Sequence, residues 1–370
     1  MEPIGCKLPT ITSWLYPSCK RRFRLMKAGV DESVNGMANS TLAVVIPTRN
    51  NASSIDAHCN SLKPLLSFVS EVIIVDSSED NTLDICEASL AKHINIRVIK
   101  HPPGLYASWN TAIEAVTSEY VYISTVGDTI KASFLEELFV YAEAHCLDLV
   151  ISPPSFIGAK ANYKWPIHKL IQRYAISGHH VLEGADVAML NYLSLSEHGL
   201  SSLSGSFASN VVRASLLKAC PFPVDYAGFG DVMWFAQVCG QIRLGIIADV
   251  GSSFLVHESK HQEFSHADLY RCWTEAMDIV AGQLETFGNS SIKKASHDFQ
   301  DCKMKFKRFK KENPGLLKFS VRKAAQSFRK KIFRLRLARE LKAIDKQVMS
   351  TLEKSQVRCA HSYKLTGFAE

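Results

Sequence analysis

The chain has 370 residues, 46% apolar and 21% charged, a balance that excludes a mainly disordered or fibrous protein and allows a large core. Its net charge of +7 is unevenly spread: residues 301–370 hold 20 of the 43 Lys and Arg but 6 of the 36 Asp and Glu, a local balance of +14, against −7 for residues 1–300. The ten cysteines form no CxxC pair, which argues against a zinc ribbon or disulfide scaffold, and no apolar run nears the ~18 residues of a membrane span. Together with a start that lacks a signal-peptide stretch, these features lead us to expect a cytoplasmic protein, or one peripheral on the inner face of a membrane.

Residues 1–40 show no sustained period and read as an irregular leader. From Leu42 the pattern changes. Leu42-Ala43-Val44-Val45-Ile46, stopped by Pro47, is a continuous apolar run of the kind found in a strand buried on both faces. Val72–Val75, Ile96–Ile99 and Tyr120–Ile123 repeat that pattern. Between them, Leu83, Cys86 and Leu90, then Trp109, Ala112, Ile113 and Val116, recur at helical spacing. Strand and helix in alternation predict βαβ units and hence a mainly parallel sheet flanked by helices. Residues 41–150 form the first half on this reading. After Leu149-Val150-Ile151 the alternation lapses, with helices predicted near 166–176 and 211–219, a helix from about Asp231, a strand at Ile246–Val250 and a helix at 267–287. The second half, 151–290, reads as the acceptor side, and 291–370 as a basic helical tail.

Ligands of an open α/β sheet bind at the C-terminal ends of its strands, where loop amides and helix N-termini converge. The polar residues worth attention lie there: Pro47-Thr48-Arg49-Asn50 after the first strand, and Asp76 to Thr82 after the second. A strand-end aspartate can hold a ribose or a base edge; the alternative is a turn and helix cap and nothing more.

Three segments in order resemble the nucleotide-binding half of family 2 glycosyltransferases of the Rossmann-like GT-A fold. They are Val44 to Asn50, Val72 to Thr82, and Gly104 to Ile113 with Trp109-Asn110-Thr111-Ala112-Ile113, covering roughly 100 residues between Leu42 and Cys146. The resemblance implies that Pro47, Thr48, Arg49, Asn50, Asp76, Ser78 and Asn110 hold the nucleotide sugar, with Arg49 in place of the usual aromatic residue. It also implies an Asp-x-Asp motif that binds Mg²⁺ or Mn²⁺ on the diphosphate. Here Thr125 and Gly127 take the two acidic places and Asp128 alone remains, either as ligand of metal and diphosphate or as a helix cap. Gly228-Phe229-Gly230-Asp231 resembles the family's Gly-Glu-Asp segment, with Gly230 for the glutamate, and makes Asp231 the candidate general base, the alternative again being a cap. His257 follows the next strand, where related enzymes place a metal or phosphate contact; a structural histidine is the alternative.

The expectation is therefore an inverting glycosyltransferase of polysaccharide biosynthesis, moving a sugar from a nucleotide diphosphate sugar to a saccharide or lipid-linked acceptor. The rival is a non-catalytic binding or scaffold protein of the same fold. The tail from Lys303 to Lys311, and the stripe Phe333, Leu337, Leu341, Ile344, Val348, suit an anionic membrane surface or a helix packed on the catalytic domain. No recognised motif points to nucleic acid. With no GxGxxG after the first strand, a dinucleotide-binding dehydrogenase is disfavoured.

Overall fold

A computed structural model describes residues 41–92, 94, 96–158, 164–256, 266–287, 346 and 349–355. The first strand, β1 (Leu42–Thr48), is followed by α1 (Ile55–Leu62), β2 (Glu71–Asp76), α2 (Thr82–Leu90), β3 (Ile96–Lys100), α3 (Leu105–Ala115) and β4 (Tyr120–Ile123). These are the predicted alternating units. A short β5 (Thr129–Ile130) and α4 (Ala132–Ala144) lead to β6 (Leu149–Ile151) and β7 (Ser155–Gly158). Then come α5 (Pro166–Tyr174), β8 (His179–Glu183), α6 (Ala185–His198), β9 (Asn210–Arg213), α7 (Ala214–Ala219), α8 (Gly230–Val238), β10 (Arg243–Ile247), β11 (Ser252–Val256) and α9 (His266–Thr286).

Eight strands form the main sheet in the order β3-β2-β1-β4-β9-β6-β10-β8. β3, β2, β1 and β4 run parallel, β9 runs against its neighbours β4 and β6, and β8 runs against β10. The chain builds outward from β1 to β3 and returns to place β4 on the other side of β1. This is the reversal of strand order at which open α/β sheets bind ligands.

Alternate residues of each parallel strand enter different cores. Ala43, Val45, Ile73, Val75, Val121 and Ile123 pack with α3 and the helices of the second half, whereas Leu42, Val44, Ile46, Val72, Ile74, Tyr120 and Tyr122 pack with α1, α2 and α4. A sheet covered on both faces has no solvent side, which is why its strands read as unbroken apolar runs. Each such Val, Leu or Ile contributes about 1.5–3 kcal/mol through burial.

A second sheet, β5-β11-β7, lies beyond the end of β4 and brings β11 against the turn that follows it. The helix predicted over 211–219 begins later: Asn210–Arg213 is strand β9, and only Ala214–Ala219 is helical. The strand predicted at Ile246–Val250 runs instead from Arg243 to Ile247.

Cys59, Cys86, Cys220, Cys239 and Cys272 are free and buried, while Cys146 is disulfide-bonded. No helix among the described residues is long and apolar enough to cross a membrane. The basic run Lys303–Lys311 and the stripe from Phe333 to Val348 lie outside the described residues. Residues 349–355 are helical; Leu352 is buried in the core shared with α6, and the Thr351 hydroxyl donates to Asp186 Oδ1 at 3.1 Å.

Candidate active site

The loops after β1 and β2 are fastened to each other by side chains that satisfy backbone N–H groups. Asn50 N donates to Ser78 Oγ at 2.9 Å, Asn51 N to Thr82 Oγ1 at 2.7 Å, and Glu79 N to Asn50 Oδ1 at 2.9 Å. Asn50 is held at a φ of 51°, a left-handed conformation that asparagine tolerates better than most residues. Pro47 and Thr48 are buried at the end of β1, and Arg49 extends into solvent. Asp76 is fully buried. Its Oδ1 accepts from Ser78 N at 3.2 Å, and its Oδ2 accepts from Lys100 Nζ at 2.6 Å. The Lys100 side chain is 63% exposed, so it can turn out into solvent and leave its place on the carboxylate to a polar group of a ligand. Lys100, at the end of β3, carried no motif and was missed in the sequence.

Asp128 stands in a different setting. The turn after β4 closes with Asp128 N donating to Thr125 O at 3.0 Å, and Asp128 Oδ1 accepts from Leu255 N of β11 at 2.8 Å. It caps no helix. Its Oδ2 is buried with no hydrogen-bond partner, and burial, only partly offset by the Leu255 N–H, pushes its pKa up to about 7. Gly127 has a φ of +99°, and a Cβ there would lie 2.6 Å from Leu255 Cδ2. Leu255 therefore fills the space in which the second carboxylate of an Asp-x-Asp motif would begin.

The metal implied by the motif can be tested against these residues. One buried, unpartnered carboxylate oxygen fits a single coordination position, and Mg²⁺ commonly takes only one or two protein carboxylates, the rest being water and phosphate. Among the described residues no three His, Cys, Asp or Glu side chains group as a metal centre. His257 lies outside the described residues.

Beneath the same turn, His58 of α1 is buried, its Nε2 lies 3.2 Å from Ser124 Oγ, and its Nδ1 has no partner. Burial lowers its pKa to about 4, so the ring is neutral near pH 7. His58 and Asp128 then oppose each other in acid. For His58 the unfolded chain takes the proton first, and stability falls as pH drops from 6.5 towards 4, by about 1.4 kcal/mol per unit. For Asp128 the folded chain takes the proton first, and stability rises as pH drops from about 7 towards 3.8. Urea midpoints followed against pH test this as differences from the wild type, whose own curve also carries other groups such as His145. Relative to the wild type, Asp128→Asn should lose stability towards acid and His58→Gln should gain it. Three parallel curves would refute this account.

Asp231 lies in the first turn of α8, half-buried, and accepts at Oδ1 from Tyr106 Oη at 3.0 Å and from Val232 N at 2.8 Å. Burial raises its pKa above the ordinary aspartate value, and the two hydrogen bonds only moderate that rise. Tyr106 is in the first turn of α3, which leaves the C-terminal edge of the sheet after β3, so the hydroxyl ties Asp231 to that edge. Gly230 has Tyr106 against it: a Cβ would lie 2.5 and 2.6 Å from the ring and 2.7 Å from Pro223 O.

Asn110, expected to contact the ligand, is bonded to Phe222. Its Nδ2 donates to Phe222 O at 2.8 Å and its Oδ1 accepts from Phe222 N at 2.9 Å, which holds the segment before α8 and leaves one further N–H and one lone pair on the amide. Thus the Pro47–Asn50 and Asp76–Ser78 loops are brought together directly, and Asp128 follows β4, the other neighbour of β1. Asp231 reaches the same edge through Tyr106. No hydrogen bond joins the three carboxylates to one another among the described residues.

This sheet, with its antiparallel β9 and its strand-end loops, is the GT-A fold. Residues 43–192 match the family model described as Glycosyl transferase family 2, and the resemblance carried by the motifs holds for that segment. Among solved structures, S. aureus TarS 1–349 in complex with UDP is similar at 21% identity, over 66% of this chain and 65% of that one, with a TM-score of 0.50. The same protein in complex with UDP-GlcNAc matches at 19% identity over 66% of each chain, with a TM-score of 0.51. Glucosyl-3-phosphoglycerate synthase from Mycobacterium tuberculosis, in complex with Mn²⁺, UDP and phosphoglyceric acid, matches at 19% identity over 67% of this chain and 78% of that one, with a TM-score of 0.41. At such identities the likeness is one of fold, and the chain spans just under two thirds of the length of the first of these structures. No curated protein matches it in sequence.

Proposed function

We propose that the protein transfers a sugar from a nucleotide diphosphate sugar to an acceptor hydroxyl, with inversion. The observation that supports this most is the tie from Asp231 to the first turn of α3, because it brings a carboxylate of raised pKa to the sheet edge that also carries the 47–50 and 76–82 loops. TarS, of similar fold, is seen with UDP and with UDP-GlcNAc, which favours a uridine nucleotide as the donor's carrier.

In this reading Thr48, Asn50 and the 76–78 turn hold the nucleoside, and Asp76 exchanges Lys100 for a polar edge of the base or ribose. Asp128 would hold Mg²⁺ or Mn²⁺, and such a cation, when bound, neutralises charge gathering on the leaving diphosphate. Asp231 takes the proton from the acceptor hydroxyl as its oxygen bonds to the anomeric carbon. The bond from that carbon to the phosphate oxygen breaks in the same step, its electron pair leaving with the nucleoside diphosphate. Oδ2 of Asp231, without a hydrogen-bond partner among the described residues, is the oxygen that accepts the proton. The acceptor, saccharide or lipid-linked, is bound by the second half of the chain.

Incubating the full chain with a panel of nucleotide sugars, with and without Mn²⁺, and following release of nucleoside diphosphate tests the reading. Turnover of one donor is expected. Binding without turnover of any donor, whatever acceptor is added, would favour the scaffold alternative.

A further inference from the structure

The family's segment carries a glutamate where this chain has Gly230, and the structure offers a reason. The Tyr106 ring stands where a side chain at 230 would start, 2.5–2.6 Å from an ideal Cβ. That ring is locked in place. It stacks on Phe222 at 5.7 Å with an interplanar angle of 28°, and meets Trp109 edge-on at 5.5 Å. Phe222 is in turn held through its backbone by Asn110. A buried phenol so confined has one polar atom to satisfy, and it spends it on Asp231 Oδ1.

We infer that Tyr106 is the positioning residue of the base: its hydroxyl fixes Asp231 Oδ1, its ring replaces the missing glutamate side chain, and Oδ2 is left aimed at the acceptor. The inference rests on the reading of Asp231 as the base. Tyr106 itself takes no proton. Burial, and then the negative charge of Asp231, push its own ionisation far above neutral pH, so it serves only as a donor. Among the described residues the other groups acting on Asp231 are the Val232 N–H and its own backbone N–H; Glu275 of α9, the helix packed on α8, acts on Tyr226.

The test is Tyr106→Phe, which keeps the ring and the packing and removes one hydrogen-bond donor. We expect kcat to fall about tenfold to a hundredfold, the worth of one hydrogen bond to a charged group. KM for the donor sugar should stay within about twofold, because the nucleotide loops are untouched, and nucleotide binding serves as the control for folding. Loss of the donor leaves the carboxylate less stabilised, so the acid limb of kcat/KM should move up by about one pH unit. A structural role alone would not move that limb. If Asp231→Asn is inactive and Tyr106→Phe keeps both the wild-type kcat and the wild-type acid limb, the inference is overturned while the base assignment stands. If Asp231→Asn turns over normally, the base assignment fails and the inference goes with it.

Discussion

Asp231→Asn is expected to reduce sugar transfer by about a hundredfold to ten-thousandfold, the range that a positioned general base contributes. The substitution preserves shape. Its Oδ1 can still accept from Tyr106 Oη and Val232 N, so the first turn of α8 and its tie to α3 should persist. What it loses is the capacity of the second oxygen to take a proton. Binding of nucleoside diphosphate, which depends on the loops after β1 and β2, should remain within about twofold of wild type, because the site of loss is on the acceptor side. Turnover and nucleotide binding measured on the same preparation separate the outcomes. Transfer that survives unchanged would show that the acceptor is deprotonated elsewhere.

The second large effect falls on stability. Gly230→Ala should destabilise the fold by about 3 kcal/mol, the upper part of the usual cost of overpacking a core. The added Cβ would meet the Tyr106 ring and the Pro223 carbonyl at once, at 2.5 and 2.7 Å. Neither can yield easily: the ring is wedged between Phe222 and Trp109, and the carbonyl is backbone. Gly127→Ala makes a useful comparison. It also strains a left-handed backbone, but its nearest neighbour is the end of a leucine side chain that can turn aside, so a smaller loss is expected. Urea unfolding of the two variants against the wild type checks the order. Equal and negligible losses would mean that these glycines are not forced by their surroundings.

Those two glycines show where the sequence could be read and where it could not. β1 to β4 were legible because a sheet covered on both faces needs unbroken apolar strands, and α3 because Trp109, Ala112, Ile113 and Val116 keep one helical face. Asp231 stood out by its place in a motif. The reasons for the two departures from the motifs were not legible, since they lie far off in the chain. Leu255 donates to Asp128 across 127 residues, and Tyr106 reaches Asp231 across 125. Asn110 reads as a ligand contact because its motif sits at a strand-end helix, and its pairing with Phe222, 112 residues away, carries no signal in the sequence. The run Val211-Val212-Arg213 is too short for periodicity to separate strand from helix, and pairing with β4 and β6 decides it.

In the proposed function the carboxylates of Asp76, Asp128 and Asp231 serve one bound nucleotide sugar. A crystal structure of the full chain with UDP and Mn²⁺ tests it most directly. The expected result is the nucleoside against Thr48 and Asp76 with Lys100 displaced, the diphosphate and cation on the Asp128 side, and Asp231 Oδ2 open to the space beyond the β-phosphate. A nucleotide bound away from the ends of β1 and β2, or Asp231 walled off from the phosphates by protein side chains, would contradict it.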